Sequence, residues 1–396
     1  MRRDEAITAM LSERVAAGDF PSAVYAVSER GRLVFADALG DAVRSPDGGR
    51  FPALLTTIYD LASLTKPLVT GLLAAKLLER GAFELDAEVS RFLRHFSGED
   101  KRRITVRQLL THTSGLPAWT PVYVASGGER ERALDAIVAR PLAYEPGTRV
   151  LYSDLGFITL GLLLAHVSRR PLAELAREEI FEPLKLRRTF FNPERALQTE
   201  VAACESAGNA YERGMCGDDA DAARFSWREG LIWGEVHDGN AHFLGGAAGH
   251  AGLFSDAAET SLIAAQFLAA QTRLLRPETC ALFRTDMTEG LTDANDGTRQ
   301  ARSLAWQLAA TEGSTAGPEL PPDAFGHLGF TGTSVWIDPA RERVFVLLTN
   351  RTHARTLPFV NINSTRRRFH TLAARALERD SATPGAATRR REDTAT

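Results

Sequence analysis

Residues 61–67 read Leu-Ala-Ser-Leu-Thr-Lys-Pro and place Ser63 and Lys66 three positions apart at the start of a predicted helix. Side chains three residues apart lie on the same face of a helix. Pro67 fits there because the amides of a first turn have no partner within the helix. A serine hydroxyl becomes a nucleophile when a neighbouring base removes its proton, and a lysine of lowered pKa is one such base. In isolation, the same pattern is also typical of a capping serine beside a solvated lysine.

Lysine is rare in this chain, which makes Lys66 more informative. Of the 47 basic residues, four are lysines and the other 43 are arginines, a bias typical of a GC-rich genome. The 396 residues carry a net charge of -3, which provides no electrostatic footprint for nucleic acid. The longest apolar run, 155–167, is too short to cross a membrane. We therefore expect neither a nucleic acid nor a membrane as partner; the sequence does not decide the oligomeric state.

A second candidate element lies in residues 144–157, where a Glu-Pro-Gly turn leads to Tyr152-Ser153-Asp154 and then to an apolar helix. Tyr152 is a candidate phenolic base or proton shuttle, and core packing is the alternative interpretation. Ser153 or Asp154 is also a suitable cap for the helix that follows.

A third element, residues 325–333, reads Phe-Gly-His-Leu-Gly-Phe-Thr-Gly-Thr and leads into a predicted strand. Glycines beside a strand edge let a substrate approach the backbone closely. Such an edge can pair with an extended acyl group and donate an amide hydrogen bond to an oxyanion. His327 and Gly329 are therefore candidate substrate-binding residues.

Together, Ser63-Leu64-Thr65-Lys66, Tyr152-Ser153-Asp154 and His327-Leu328-Gly329 resemble the three active-site elements of the serine β-lactamase and penicillin-binding protein superfamily, in the same order. The segment 110–117 resembles the family's loop before the tyrosine element. Segments 234–238 and 245–255 resemble a class C-like subgroup of β-lactamase-related serine hydrolases and esterases. The resemblance covers about residues 4 to 378.

The order of predicted elements, helix, strands, long helical segment, strands and helix, favours an α+β fold with an antiparallel sheet built from both chain ends. The resemblance implies the β-lactamase-like (DD-peptidase/transpeptidase-like) fold, with N- and C-terminal helices flanking the sheet and a mostly helical insertion. We expect one catalytic domain over 1–380, divided into a sheet subdomain (about 1–60 and 245–380) and a helical subdomain (about 61–244). Residues 358–378 are predicted to be the final helix, and 381–396 a disordered tail.

The resemblance also implies an acyl-enzyme mechanism. Ser63 would attack a carbonyl, with Lys66 and Tyr152 as the proton-transfer pair. The amides of Ser63 and of a residue just after Gly329 would stabilise the oxyanion. His327 would orient Tyr152 or the substrate without a fixed positive charge at neutral pH.

Two residues depart from the family pattern. Asp154 stands where asparagine is usual, and an aspartate near Lys66 would raise the pKa of that lysine. His327 stands where many relatives carry the lysine that grips a carboxylate. Both changes favour a neutral ester or another acyl substrate over a β-lactam, with Asp154 placed among the substrate-binding residues.

The leading hypothesis is therefore a serine acyl hydrolase that forms an acyl-enzyme at Ser63 on a small ester or amide. The nearest enzymatic alternative is a β-lactamase or D-alanyl-D-alanine carboxypeptidase. A non-turnover penicillin-binding or sensor module is the alternative from a different functional class.

Metal and cofactor sites are not expected. Residues 293–297 open like a calcium loop, but Leu304 occupies the position that requires glutamate. Four further residues could in principle gather zinc but match no established spacing: His237, Asp238, His242 and His250.

The cellular location is expected to be the cytoplasm. Three cysteines without zinc spacing favour reduced thiols. The first residues, Met-Arg-Arg-Asp-Glu, lack the apolar stretch of a secretion signal. A lost start or signal would instead make the protein periplasmic or secreted.

Overall fold

The computed structural model describes residues 2–353 and 357–382. Its strands are β1 Ser22–Glu29, β2 Arg32–Arg44, β3 Arg50–Pro52, β4 Tyr59–Asp60, β5 Phe190–Phe191, β6 Leu253–Ser255, β7 Gln307–Leu308, β8 Phe325–Leu328, β9 Ser334–Asp338 and β10 Arg343–Thr349. Its α-helices are α1 Glu5–Ala16, α2 Leu72–Glu79, α3 Val106–Leu110, α4 Val122–Ala125, α5 Ala133–Val138, α6 Asp154–Ser168, α7 Leu172–Ala176, α8 Ala210–Met215, α9 Ala220–Arg224, α10 Gly239–Phe243, α11 Ala257–Ala264 and α12 Asn363–Ala382. Wider π-helical turns occupy Lys66–Gly71 and Arg177–Phe181.

The main sheet has seven antiparallel strands in the order β3-β2-β1-β10-β9-β8-β7. The central pair, β1 and β10, comes from opposite ends of the chain, with Ala23 opposite Thr349 and Glu29 opposite Arg343. Both strands are apolar along nearly their whole length because both faces of the sheet are covered. The predicted α+β class and the sheet built from both chain ends are therefore confirmed.

Helices α1 and α12 cover one face of this sheet. Ile7 and Leu11 of α1 and Phe369 of α12 are buried against Tyr25 and Trp336 of the strands. The larger core lies on the other face, where α11 packs against β1 and β10 and apolar residues of α2 and α6 belong to the same buried cluster. The sheet is thus held between two helical layers, which is how an antiparallel sheet buries both of its apolar faces.

A second sheet, in the order β4-β6-β5, joins the helical insertion to the strands. Tyr59 pairs with Ser255, and Phe254 pairs with both Asp60 and Phe190. Because β4 ends at Asp60, the turn that carries Ser63 begins at the edge of this small sheet.

Strand β7 begins only at Gln307, because Ala305 takes a left-handed conformation (φ 64°) that an extended strand does not permit. The predicted final helix differs from the structure at both of its ends. The last helix begins at Asn363, where the Asn361 side chain accepts a hydrogen bond from the Asn363 amide, and it continues to Ala382. Ser381 and Ala382 therefore belong to this helix, and residues 383–396 of the predicted tail lie outside the described residues.

In the described residues, every helix is either too short or too polar to pass through a lipid bilayer. The predicted cytoplasmic location and the subdomain boundaries stay predictions.

The packing of α12 predicts a stability effect. Phe369→Ala should lower the free energy of unfolding by about 3–5 kcal/mol, because it leaves a cavity beneath a fully buried ring. Leu262→Ala on α11 is the control, since that side chain is 48% exposed and should change stability by about 0.5 kcal/mol or less. Urea unfolding followed by circular dichroism measures both values, and equal midpoints for the two variants would contradict the assignment.

Candidate active site

The turn that carries Ser63 is held in an unusual backbone conformation. Ala62, the preceding residue, has a left-handed φ of 48°, a conformation that the surrounding structure must stabilise. The buried Asp60 carboxylate supplies that stabilisation by accepting hydrogen bonds from the amides of Ala62 (2.8 Å) and His237 (2.7 Å). The Ser63 side chain is left half-buried at the cavity wall.

The loop after β8 is tied directly to the same turn. The Thr331 hydroxyl donates to the Asp60 carbonyl (2.8 Å), and the Thr333 hydroxyl donates to the Leu61 carbonyl (3.0 Å). Both threonines are buried, so these bonds are shielded from water. They fix the distance between the strand edge and Ser63.

Lys66 lies one turn after Ser63, and its side chain is fully buried. Its ammonium nitrogen lies 2.6 Å from Asp154 Oδ1, 3.0 Å from Ser63 Oγ and 3.1 Å from the His250 carbonyl oxygen. Burial works against the charged form of Lys66, but the Asp154 charge, together with the polar contact to Tyr152, outweighs it and raises the pKa of Lys66. Asp154 therefore faces Lys66, which is the arrangement in which an aspartate at this position was expected to raise the pKa of the lysine.

Tyr152 lies over Lys66, with the ammonium 4.8 Å from the centre of its ring. Burial raises the pKa of the Tyr152 phenol, although the Lys66 charge and polar contacts with Lys66 and Ser63 act in the opposite direction. Tyr152 is thus a neutral phenol in contact with both residues of the first motif.

His112, from the loop 110–117, supports the tyrosine from behind. Its ring lies 4.6 Å from the Tyr152 ring between centroids, and its Nδ1 accepts the Ser153 amide hydrogen bond (3.0 Å). Burial holds the pKa of His112 well below its usual value, so the ring is a neutral acceptor. The sequence singled out this loop but did not identify His112 as the support for Tyr152.

His327 is also neutral and buried. Its Nδ1 lies 2.9 Å from the Leu328 carbonyl oxygen, a contact that requires the proton on Nδ1 and leaves Nε2 as an acceptor. No protein donor reaches that Nε2 among the described residues. Burial, with the charges of Lys66 and Arg302, lowers the pKa of His327 well below its usual value.

Gly329 allows the end of β8 to lie against the Ser63 turn. A Cβ atom there would stand 2.0 Å from Thr333 Oγ1 and 2.6 Å from the Leu61 carbonyl oxygen. The next residue, Phe330, and Ser63 line the same cavity, and within the described chain neither of their amides donates to a backbone carbonyl.

All these elements surround one cavity of about 580 Å³. The structure brings the six predicted residues together there: Ser63, Tyr152, Asp154, His327 and Gly329 line it, and Lys66 contacts Ser63 from behind. Sequence reasoning found Asp154 and Asp238 but missed four other charged residues of the cavity, which are Glu212, Arg302, Arg351 and Arg366. In a chain with 43 arginines, no local pattern distinguishes these three from the rest.

The four residues considered for zinc do not converge on one point. His237 pairs with Glu205 (2.9 Å), and His250 pairs with Asp238 (2.8 Å). His242 faces Glu235 at 3.4 Å. In residues 2–353 and 357–382, histidine, cysteine and acidic side chains form no group of three suited to a metal ion.

The chain matches the Beta-lactamase family model over residues 7–363 and belongs to that family. It is 30% identical over 372 residues to the "Putative D-alanyl-D-alanine carboxypeptidase" of Escherichia coli (strain K12), covering 87% of this chain and 81% of that protein. It is 31% identical over 372 residues to the N-acetylmuramyl-L-alanine amidase of Bacillus subtilis (strain 168), covering 87% and 80%. The family resemblance is confirmed, and the protein is a serine hydrolase of this family.

Solved structures support the same fold. EstCE1, described as a hydrolase with promiscuous acyltransferase activity, superposes with a TM-score of 0.71 at 22% identity over 92% of this chain and 97% of its own. The class C β-lactamase from Rhodobacter sphaeroides superposes with a TM-score of 0.68 at 20% identity over 93% and 99%. The predicted β-lactamase-like fold is therefore confirmed.

The contact at Gly329 predicts a loss of activity. Gly329→Ala should lower kcat/KM by about 100-fold, because the added methyl group displaces the strand edge from Ser63. Gly214→Ala is the matched control, since a Cβ there meets no atom within 4 Å and its φ is not left-handed. Ester hydrolysis by both purified variants tests this, and an active Gly329→Ala enzyme would contradict it.

Proposed function

We propose that Ser63 is the nucleophile of an acyl hydrolase that cleaves an amide or ester carrying a free carboxylate. In this mechanism Ser63 Oγ attacks the carbonyl, Lys66 and Tyr152 carry protons, and the amides of Ser63 and Phe330 stabilise the oxyanion. Water then releases the acyl group. The contact between Lys66 and Ser63 supports the nucleophile, since it connects the hydroxyl to an ionisable side chain.

Arg302 is the observation that carries the choice of substrate. Its guanidinium is buried, lies 5.7 Å from the centre of the Tyr152 ring and lines the same cavity as Ser63. In the described parts of the chain no carboxylate is within ion-pair distance, Asp293 attracts it only from farther away, and its Nε has no acceptor. A buried, unpaired charge is costly, so a substrate carboxylate that paired with it would gain binding energy.

His327 is a second cavity residue that lacks a hydrogen-bond partner, because no donor in the described residues reaches its Nε2. The N–H of a scissile amide is such a donor. An amide with a carboxylate on its leaving group would satisfy both Arg302 and His327. This favours carboxypeptidase-type cleavage, the activity in the name of the Escherichia coli relative, over hydrolysis of a neutral ester.

Replacement of the nucleophile provides the first test. Wild-type protein incubated with p-nitrophenyl acetate should release p-nitrophenolate and carry a transient acetyl group on Ser63, which rapid quenching and mass spectrometry of peptides would detect. Ser63→Ala should show neither the adduct nor turnover. Equal rates for the two proteins would disprove the assignment, and a stable adduct without turnover would contradict hydrolysis.

The substrate carboxylate provides the second test. Acetylated D-alanyl-D-alanine should be cleaved with a higher kcat/KM than the same dipeptide with a C-terminal amide. Arg302→Gln should reduce this ratio by roughly 10- to 100-fold, since a hydrogen bond to a charged group contributes about 1.5–3 kcal/mol. Because the ratio compares two substrates of one enzyme, effects on the chemical step cancel. A ratio that the substitution leaves unchanged would rule out Arg302 as the carboxylate site.

A further inference from the structure

Ser63 must lose its hydroxyl proton to act as a nucleophile, and its nearest ionisable neighbour, Lys66, is placed as a proton donor. Lys66 Nζ lies within 3.1 Å of three oxygens: it donates hydrogen bonds to Ser63 Oγ and to the His250 carbonyl, and Asp154 Oδ1 is its ion-pair partner at 2.6 Å. An ammonium group has three N–H bonds and no lone pair. Lys66 in this arrangement donates a hydrogen bond to Ser63 Oγ and cannot accept the serine proton unless it first loses one of its own.

The other ionisable groups near Ser63 do not provide the missing base. Burial raises the pKa of Tyr152, so its phenol keeps its proton at neutral pH. His112 and His327 have pKa values well below the usual range, but their rings lie against Tyr152 and make no hydrogen bond to Ser63. Asp238 is engaged by His250 and by the Ala241 amide.

Asp154 is the carboxylate that contacts the Lys66 ammonium directly. Its Oδ1 is 2.6 Å from Lys66 Nζ, the shortest of the three contacts of that ammonium. The backbone holds Asp154 in place, since its amide donates to the Ala118 carbonyl (2.8 Å) and it opens the helix that Ser153 caps. An asparagine at this position has no basic oxygen that could take a proton from the lysine.

We infer that Asp154 is the proton acceptor for Ser63 and acts through Lys66. As the bond from Ser63 Oγ to the substrate carbonyl carbon forms, the hydroxyl proton moves to Lys66 Nζ, and Lys66 passes one of its own protons to Asp154 Oδ1. The lysine remains an ammonium beside the acylating oxygen, and the carboxylate becomes a neutral acid.

The reverse transfer completes the step. When the tetrahedral intermediate collapses, the bond from carbon to the leaving group breaks. Asp154 returns its proton through Lys66 to the leaving nitrogen or oxygen, which departs as a neutral amine or alcohol. No co-reactant is needed, and Asp154 is again a carboxylate before water attacks the acyl-enzyme. Asp154 is thereby a positioning and proton-holding residue, and its role differs from the substrate contact expected from the sequence.

The test measures acylation alone and rests on Ser63 as the nucleophile. With p-nitrophenyl acetate the leaving group departs as an anion, so the pre-steady-state burst reports removal of the Ser63 proton without the return step. Asp154→Asn should slow the burst by about 100-fold or more, within the range for loss of general base catalysis. Asp154→Glu, which keeps a carboxylate, should recover part of the rate.

Glu179→Gln is the matched control. Glu179 forms an ion pair with another buried lysine, Lys76 (3.1 Å), and neither residue lines the cavity that contains Ser63. This variant should keep the wild-type burst rate. A second readout uses the wild-type enzyme alone: burst rates in mixtures of H₂O and D₂O should curve with the deuterium fraction, because two protons move together. A linear dependence would overturn the relay even if Asp154→Asn failed to fold.

The outcomes separate this inference from the proposed function. If wild-type protein never becomes acylated at Ser63, the proposed nucleophile is wrong. If wild-type protein is acylated at Ser63 and folded Asp154→Asn is acylated equally fast or faster, the nucleophile stands and the relay through Asp154 is wrong.

Discussion

A fully buried ammonium group is tolerated only where acceptors surround it, and this constraint at Lys66 organises the active site. The three oxygens that surround it come from three parts of the fold. Ser63 lies on the turn after β4, Asp154 opens α6, and His250 precedes β6. The lysine therefore joins the small sheet to the helical insertion, and the bonds that satisfy its charge also align the reacting groups.

Close backbone approaches make that convergence possible. A Cβ atom on Gly161 would come within 2.8 Å of Gly249, so α6 can pass next to the segment that carries His250 only with glycine at both positions. Thr70 donates to the Gly249 carbonyl (2.7 Å), which fixes the same segment to the helix after Lys66. The glycine-rich stretch 245–255 is in this sense structural, and it also supplies the His250 carbonyl to Lys66.

The sequence was informative where function depends on short local patterns. Ser63 and Lys66 are neighbours on one turn, and the segments around Tyr152 and His327 could be recognised by their order along the chain. The alternation of helical and strand-forming segments also predicted the sheet formed by both chain ends. Asp60 and His112 could not be found this way, because their roles depend on contacts with His237 and Ser153, which are distant in sequence. The contact between Asp154 and Lys66 is likewise a tertiary contact, which the positions of the two residues in the sequence do not determine.

The distribution of charge in the cavity changes how the substitution at His327 is understood. From the sequence alone, histidine in place of lysine at position 327 indicated that the site has no cation to bind a substrate carboxylate. In the fold, Arg302 lies beside the Tyr152 ring and Arg366 donates to the Gly329 carbonyl (2.7 Å), so positive charge surrounds the strand edge from other elements. A neutral histidine then avoids adding another cation next to Lys66 and Arg302, whose charges already oppose its protonation. With His327 uncharged, its free ring nitrogen becomes an acceptor, a role that a protonated lysine cannot perform.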